Sequence, residues 1–240
     1  MKKLFRKGFL FSGIVCFFCV AFVFLSMREP YRGVIAKWTD SEEFMDASGM
    51  LPYFEQVRTS DQTTQLVIGD SICRQMFAGL SEYNPQMSIQ ATNAALMITG
   101  QYLLAEEYLK AHPEATDVFL VMHPVAITRT FDTEWGYRYG VMTYAETDTI
   151  SYLDENTLDD MADVYGRFFM KKEVVNVIEN SPMMRKLYLS YININKSDYV
   201  QSSPFEIADQ YVRNLYDLCE ENGVELHVYA SPVSETFREQ

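Results

Sequence analysis

The sequence is poor in the residues that build disulfide frameworks and metal centres. It has four cysteines in 240 residues, and two of them, Cys16 and Cys19, fall inside an apolar run, which leaves Cys73 and Cys219. No C-x-x-C pairs with a second one at zinc-ligand spacing, so neither a structural zinc site nor a disulfide scaffold is expected. Cys73 and Cys219 lie on apolar helix faces and are expected as two separate buried thiols, and Cys16 as a buried apolar thiol as well. Internal repeats, low-complexity tracts and coiled-coil heptads are missing too. Basic side chains run short after residue 27, where 16 Lys and Arg face 33 Asp and Glu, a net charge of −17. A body of that sign repels a phosphate backbone, which excludes nucleic acid as a general partner. With 48% hydrophobic residues, 11 Gly and 8 Pro, the chain is neither disordered nor collagen-like. Its length leaves room for about one domain of ~150–200 residues.

The first strong feature is a charge-free stretch. Gly8 to Met27 are 20 consecutive uncharged residues, and ~20 residues at ~1.5 Å rise match a ~30 Å hydrocarbon core. Lys2, Lys3, Arg6 and Lys7 precede it, so the basic tail 1–7 is predicted to stay in the cytoplasm and the rest to lie outside a cell membrane crossed once. A cleaved signal peptide has a shorter apolar core, ~7–15 residues, followed by a small-residue A-x-A site. The exit here reads Leu25-Ser26-Met27-Arg28. An uncleaved anchor over 8–27, in contact with membrane lipid, is therefore expected.

Residues 28–60 read as a stem and a helix, with Phe44, Met45, Leu51, Phe54 and Val57 at roughly helical spacing around Gly49 and Pro52. From 61 to 240 strands and helices alternate. Gln65 to Ile68 is a strand that stops at Gly69-Asp70-Ser71, and Ile72, Met76, Phe77 and Leu80 follow with helical period. Met87 to Ile89 reads as a strand, Gly100 to Lys110 as a helix and Asp117 to Met122 as a strand. Ser203-Pro204-Phe205-Glu206 is a capping box. It opens a helix burying Phe205, Ala208, Val212, Leu215 and Cys219 that stops at Asn222-Gly223. Val224, Leu226, Val228 and Ala230 then alternate as a last strand. Such units build a parallel sheet with helices on both faces, an α/β fold. Residues 130–201 interrupt the rhythm as a mainly helical insertion. In it Tyr137, Tyr139, Val141 and Tyr144 suggest a hairpin-like excursion, and Leu153 to Lys186 is helical.

Ligands of an open parallel sheet bind beyond the carboxyl ends of its strands, and Gly69-Asp70-Ser71 lies at one. Gly69 permits a sharp turn, and Asp70 can accept backbone hydrogen bonds and fix the loop. Ser71 would begin the next helix, where free N–H groups and the helix dipole favour negative charge on an attacking oxygen. The bland reading of a G-D-S tripeptide is a helix cap. A phosphate cradle would carry several glycines where this turn has one.

The run Leu66-Val67-Ile68-Gly69-Asp70-Ser71-Ile72-Cys73-Arg74-Gln75-Met76-Phe77 resembles the first sequence block of the SGNH (GDSL-type) hydrolase superfamily. It is most similar to the cell-surface branch containing alginate-acetyltransferase-like and D-alanine-transfer-like proteins. The resemblance implies a flavodoxin-like fold with Ser71 as nucleophile and no metal or organic cofactor. Its oxyanion hole would join the Ser71 N–H to a second-block Gly, for which Gly100 is the counterpart, with Asn93 a nearby side-chain alternative. Asp70 and Arg74 would be substrate contacts. Two departures stand beside the likeness. After the third strand the chain reads His123-Pro124-Val125-Ala126 in place of G-x-N-D, which makes His123 a substitute donor or base. The Asp-x-x-His that supplies the family's base is missing after the last strand, since Ser231 to Gln240 hold neither Asp nor His, so the domain is expected to be incomplete at its C-terminus. His227, within the last strand and opposite Leu226 and Val228, is not expected to reach Ser71. His112 is expected as a surface residue at a helix end. The implied activity is that of an extracytoplasmic esterase or O-acyltransferase on cell-envelope or exported polysaccharide. The alternative is a non-catalytic module of the same fold that binds glycan or an envelope-assembly protein.

Overall fold

The computed structural model describes residues 2–39, 50–92, 94, 95, 98–124, 131, 136–196 and 204–232. Four strands, β1 (Gln65–Gly69), β2 (Met87–Ile89), β3 (Asp117–Met122) and β4 (Glu225–Ala230), form one parallel sheet in the order β2-β1-β3-β4. The chain leaves β1 toward one side to make β2 and later returns to the other side to make β3. The strand order therefore reverses between β1 and β3.

Central β1 is apolar and buried from Leu66 to Gly69 because both its faces are covered there, as burial on two sides requires. Leu66 and Ile68 join Val118, Leu120 and Met122 in the principal core. That core is closed by α3 (Leu51–Arg58), α6 (Ile98–Ala111) and α11 (Pro204–Glu221) through Phe54, Val57, Leu103, Leu104, Leu215 and Cys219. On the other face, Val67 and Val121 pack with Cys73 of α4 (Ser71–Met76) and with Ala91 in a smaller cluster. A short α5 (Leu80–Tyr83) leads into β2. The edge strand β4 is less covered, and Val228 and Tyr229 are more than half exposed.

Ahead of the sheet, α1 (Lys2–Ser26) contains Lys7–Ser26, which is long and apolar enough to cross a membrane. Cys16 and Cys19 lie on it without cover from the rest of the protein. Most of that stretch is exposed, and only near its end are Val23 half-buried and Ser26 buried. Cys73 and Cys219 are buried and unpaired, as expected. After α1 comes α2 (Tyr31–Trp38). The segment expected as a stem thus includes α3, whose Phe54 and Val57 are core residues, while Phe44, Met45 and Gly49 lie outside the described residues.

Among the described residues the insertion is helical from Gly136 onward, and the hairpin-like excursion is not found over Tyr137 to Tyr144. Tyr137–Met142 is a π-helix running into α7 (Thr143–Glu146). Tyr137, Val141 and Tyr144 are all buried, at spacings of four and three that fit a helix face. Alternating tyrosines imitated a strand because aromatic residues are enriched in strands. Beyond it lie α8 (Glu155–Tyr165) and α9 (Lys172–Asn180), within the helical range expected, and α10 (Pro182–Lys196), which continues past Lys186, where that range ended. Their aromatic core satisfies its hydroxyls. Tyr137 donates to Phe169 O at 2.8 Å, Tyr188 to Tyr165 O at 2.8 Å, and Tyr211 of α11 to the α8 capping residue Asp154 at 2.7 Å.

One carboxyl pair makes this packing sensitive to pH. Burial, together with hydrogen bonding and repulsion from Glu179 of α9, pushes Glu146 of α7 up to about 8, against the pull of Lys172. A carboxyl whose folded pKa is raised contributes stability that is full below its unfolded value near 4.5 and is lost as pH climbs through about 8. Thermal unfolding should therefore occur at higher temperature at pH 5 than at pH 8.5, and Glu146→Gln should flatten that slope.

Candidate functional site

The site is built where β1 ends. Gly69 has φ +155, and a Cβ there would overlap the carbonyl oxygen of Val121 on β3 and lie 2.7 Å from Cys73 Cβ. Only glycine allows β1 and β3 to approach so closely while the chain turns into α4. Its carbonyl accepts from Thr92 N at 2.8 Å and from Gln101 Nε2 at 3.0 Å.

Asp70 follows in extended conformation as the N-cap of α4. Its Oδ1 accepts from Ile72 N at 2.9 Å and Cys73 N at 3.2 Å, while Oδ2 accepts from His123 N at 2.7 Å. The carboxylate therefore clamps the loop after β1 to the loop after β3, across the crevice at which the strand order reverses. The expectation that Asp70 fixes the loop is met. With both oxygens committed to backbone N–H groups, it has little left for a ligand. Asp70→Ala should cost about 2–4 kcal/mol, combining a lost cap with a stranded His123 N–H, readable as a lower melting temperature of the detergent-solubilised chain.

Ser71 is the first residue of α4 and is half-buried. Its hydroxyl makes no hydrogen bond among the described residues, although its neighbours are tightly held. Cys73, two residues on, is a poor competitor as nucleophile. Burial, with a contribution from the charge of Asp70, pushes its thiol up to about 12, so it stays protonated at neutral pH. Arg74 is exposed on α4.

His123 is half-buried directly after β3, with its backbone on Asp70. Gly100 lies buried in the first turn of α6. A Cβ there would come within 3.0 Å of the Tyr144 hydroxyl and 3.1 Å of Ala95 Cα, so Gly100 also serves the docking of α7 on α6. Its neighbour Gln101 reaches Gly69, which ties the start of α6 to the end of β1. Asn93 lies outside the described residues. The structure therefore gathers Asp70, Ser71 and the His123 backbone at one crevice and links the Gly100 turn to it through Gln101.

Gln101 was not singled out in the sequence. It is wholly buried and occupies a stripe otherwise formed by Ile98, Ala105 and Tyr108, so a polar residue at a core position of α6 was the available signal.

The other two histidines belong to the opposite end of the sheet. His112 is buried, not at the surface as expected. It stacks on Tyr108 at 4.0 Å between ring centroids, and its ring nitrogens lie 2.9 Å from Tyr108 O and 3.1 Å from Asp61 Oδ1. His227 Nε2 meets Asp117 Oδ1 at 2.9 Å, and its ring stacks on Phe119. Asp117 begins β3 while Ser71 follows the finish of β1, so His227 is remote from the serine, as expected. Asp117, Glu225 and His227 place one ligand atom each within 4.8 Å of one another. Two of these side chains are already bonded to one another through His227 Nε2 and Asp117 Oδ1, and His227 Nδ1 lies 3.9 Å from Glu225. Burial opposes ionisation of Asp117, but hydrogen bonds from His227, Thr116 and Gln65 outweigh it and hold its carboxyl below the usual range.

Comparison of the chain with protein-family models, curated proteins and solved structures finds no match.

Proposed function

We propose that this chain is a membrane-anchored, extracytoplasmic serine esterase or O-acyltransferase of the SGNH type, acting on acyl esters of cell-envelope or exported polysaccharide. The observation that carries the reading is the Gly69-Asp70-Ser71 turn. At the crevice where the strand order reverses, Asp70 clamps two loops and leaves a half-buried serine hydroxyl with no hydrogen bond among the described residues. In the proposed reaction Ser71 Oγ attacks the ester carbonyl carbon, the bond to the alcohol oxygen breaks, and the acyl group rests on Ser71. The serine proton leaves with the alcohol, for which His123 is the first candidate carrier. Water or a glycan hydroxyl then removes the acyl group. The Ser71 N–H, with that of Gly100, would receive the oxyanion. The flavodoxin-like SGNH identity belongs to this reading and rests on the Leu66 to Phe77 block together with the parallel order β2-β1-β3-β4. The test is the acyl-enzyme itself: incubation with an activated acetyl ester should leave an acetyl group on the peptide containing Ser71.

A second reading, a non-catalytic module that uses the same crevice to bind glycan or an envelope-assembly protein, is favoured by one observation. Among the described residues no imidazole or carboxylate is hydrogen-bonded to the Ser71 hydroxyl, and an unassisted serine is a weak nucleophile.

The anchor part of the proposal has its own test. Protease added outside intact cells should remove the body and leave a membrane-embedded stub. Full protection would reverse the orientation, and release of an intact soluble body would mean cleavage after the span.

A further inference from the structure

The body does not stand clear of α1. An apolar groove of about 630 Å³ runs between them, with Phe18, Phe22 and Phe24 of α1 on one side and Val177 of α9 with Met184 and Leu187 of α10 on the other. Its walls are apolar side chains alone. Phe18 precedes Ser26 by eight residues, so the groove reaches ~12 Å back along the helix from the end of the span at ~1.5 Å per residue. If α1 fills a ~30 Å hydrocarbon core, that depth lies well within it. The attachment is fixed by a hydrogen bond between the buried hydroxyls of Ser26 and Ser181, 2.6 Å apart, just ahead of α10.

Beside this contact lies α2, whose outward face is apolar. Tyr31, Val34 and Trp38, spaced by three and four residues, are 49, 69 and 72% exposed, while Ile35 and Ala36 are buried. Tyr and Trp are the residues that settle at headgroup level. Exposed Arg28 and Lys37 flank them with Glu29 the single acid between residues 27 and 39, a locally basic patch on a body of net charge −17. Its sign complements lipid phosphate.

We propose that the body is seated on the bilayer at the face where α1 ends, with α2 lying among the headgroups and lipid acyl chains filling the groove between α1 and α10. The proposal rests on the reading of α1 as a membrane anchor. It adds that α2, α9 and α10 are lipid-facing elements, so the domain is held against the membrane surface in one orientation.

Tryptophan quenching separates the two readings. The chain has two tryptophans, Trp38 and Trp135, and Trp135→Phe leaves Trp38 as the sole reporter. Leu187→Trp and Phe18→Trp, each in a chain lacking both natural tryptophans, report on α10 and α1. Leu187 is half exposed and accepts the larger ring. The full chains are reconstituted in phosphatidylcholine vesicles brominated near the headgroup or at mid-chain. An interfacial helix sinks its apolar face roughly 5–10 Å into the headgroup and acyl boundary, so Trp38 emission should fall at least about twofold with shallow bromines and less with deep ones. The Leu187→Trp reporter should respond to both. Quenching of Phe18→Trp with Trp38 and Leu187→Trp unaffected would leave the anchor standing and overturn the seat. Loss of response at either Trp38 or Leu187→Trp alone also overturns it, including the case in which a second protein chain shields the groove. Absence of quenching at all three would remove the anchor and the seat with it.

Discussion

Gly69→Ala should be the most damaging small substitution in the sheet, lowering stability by about 2–6 kcal/mol, from forced left-handed backbone and from overlap with a neighbouring strand. The positive φ disfavours any Cβ, and the direction in which that Cβ would point is filled by the Val121 carbonyl, a backbone atom of β3 that cannot rotate away. Relief requires β1 and β3 to part, which would break the registered pair Gly69 and Val121 and loosen the Asp70 contact with the His123 N–H. Domains are stable by only ~5–15 kcal/mol, so a large share of the chain should be recovered unfolded. Chemical denaturation of the detergent-solubilised chain measures the loss. A native-like midpoint for the alanine variant would mean that β1 and β3 are not so closely apposed.

The second large effect concerns rate. The chain should hydrolyse an acetyl ester only at trace level, of order 10³-fold over water, because among the described residues no base is hydrogen-bonded to Ser71 and serine enzymes whose nucleophile is unassisted retain about that much. Ser71→Ala should abolish the serine-dependent part, and free imidazole in the buffer should raise turnover in the native chain and leave the variant unchanged. Robust Ser71-dependent turnover without imidazole would mean that a residue of this chain already serves as base. His123→Ala would then be expected to cost at least ~10³-fold, the scale of a lost triad member.

Much of this framework was legible in the sequence because it depends on local pattern. The apolar run Leu66 to Ile68 cut off by Gly69-Asp70-Ser71 could hardly be anything but a strand entering a turn. Helix α11 carried its own punctuation, from Pro204 at its start to Gly223, with φ +68, just past its end. What was not legible depends on partners distant in the chain. His112 is buried because Asp61, 51 residues away, meets its ring, and no local signal could announce that. The tyrosines from 137 to 144 fit alternation and helical spacing alike, and packing against Tyr165 and Tyr188 favours the helix. The alternation in β4 correctly marked a strand. It did not reveal that Val228 would remain largely exposed, since side-chain period states which way a residue points and not whether another layer covers it. At the site, the serine turn was visible in one tripeptide. The clamp from Asp70 to the His123 N–H needed β1 and β3 to be neighbours, which strand order decides.

If Ser71 is a reactive nucleophile, a fluorophosphonate added to the folded full chain should label it, and peptide mass spectrometry reads the outcome. One slowly formed adduct is expected on the peptide containing Ser71, absent from Ser71→Ala with its fold intact. An adduct that persists in the variant, or a folded native chain that never reacts, would contradict it.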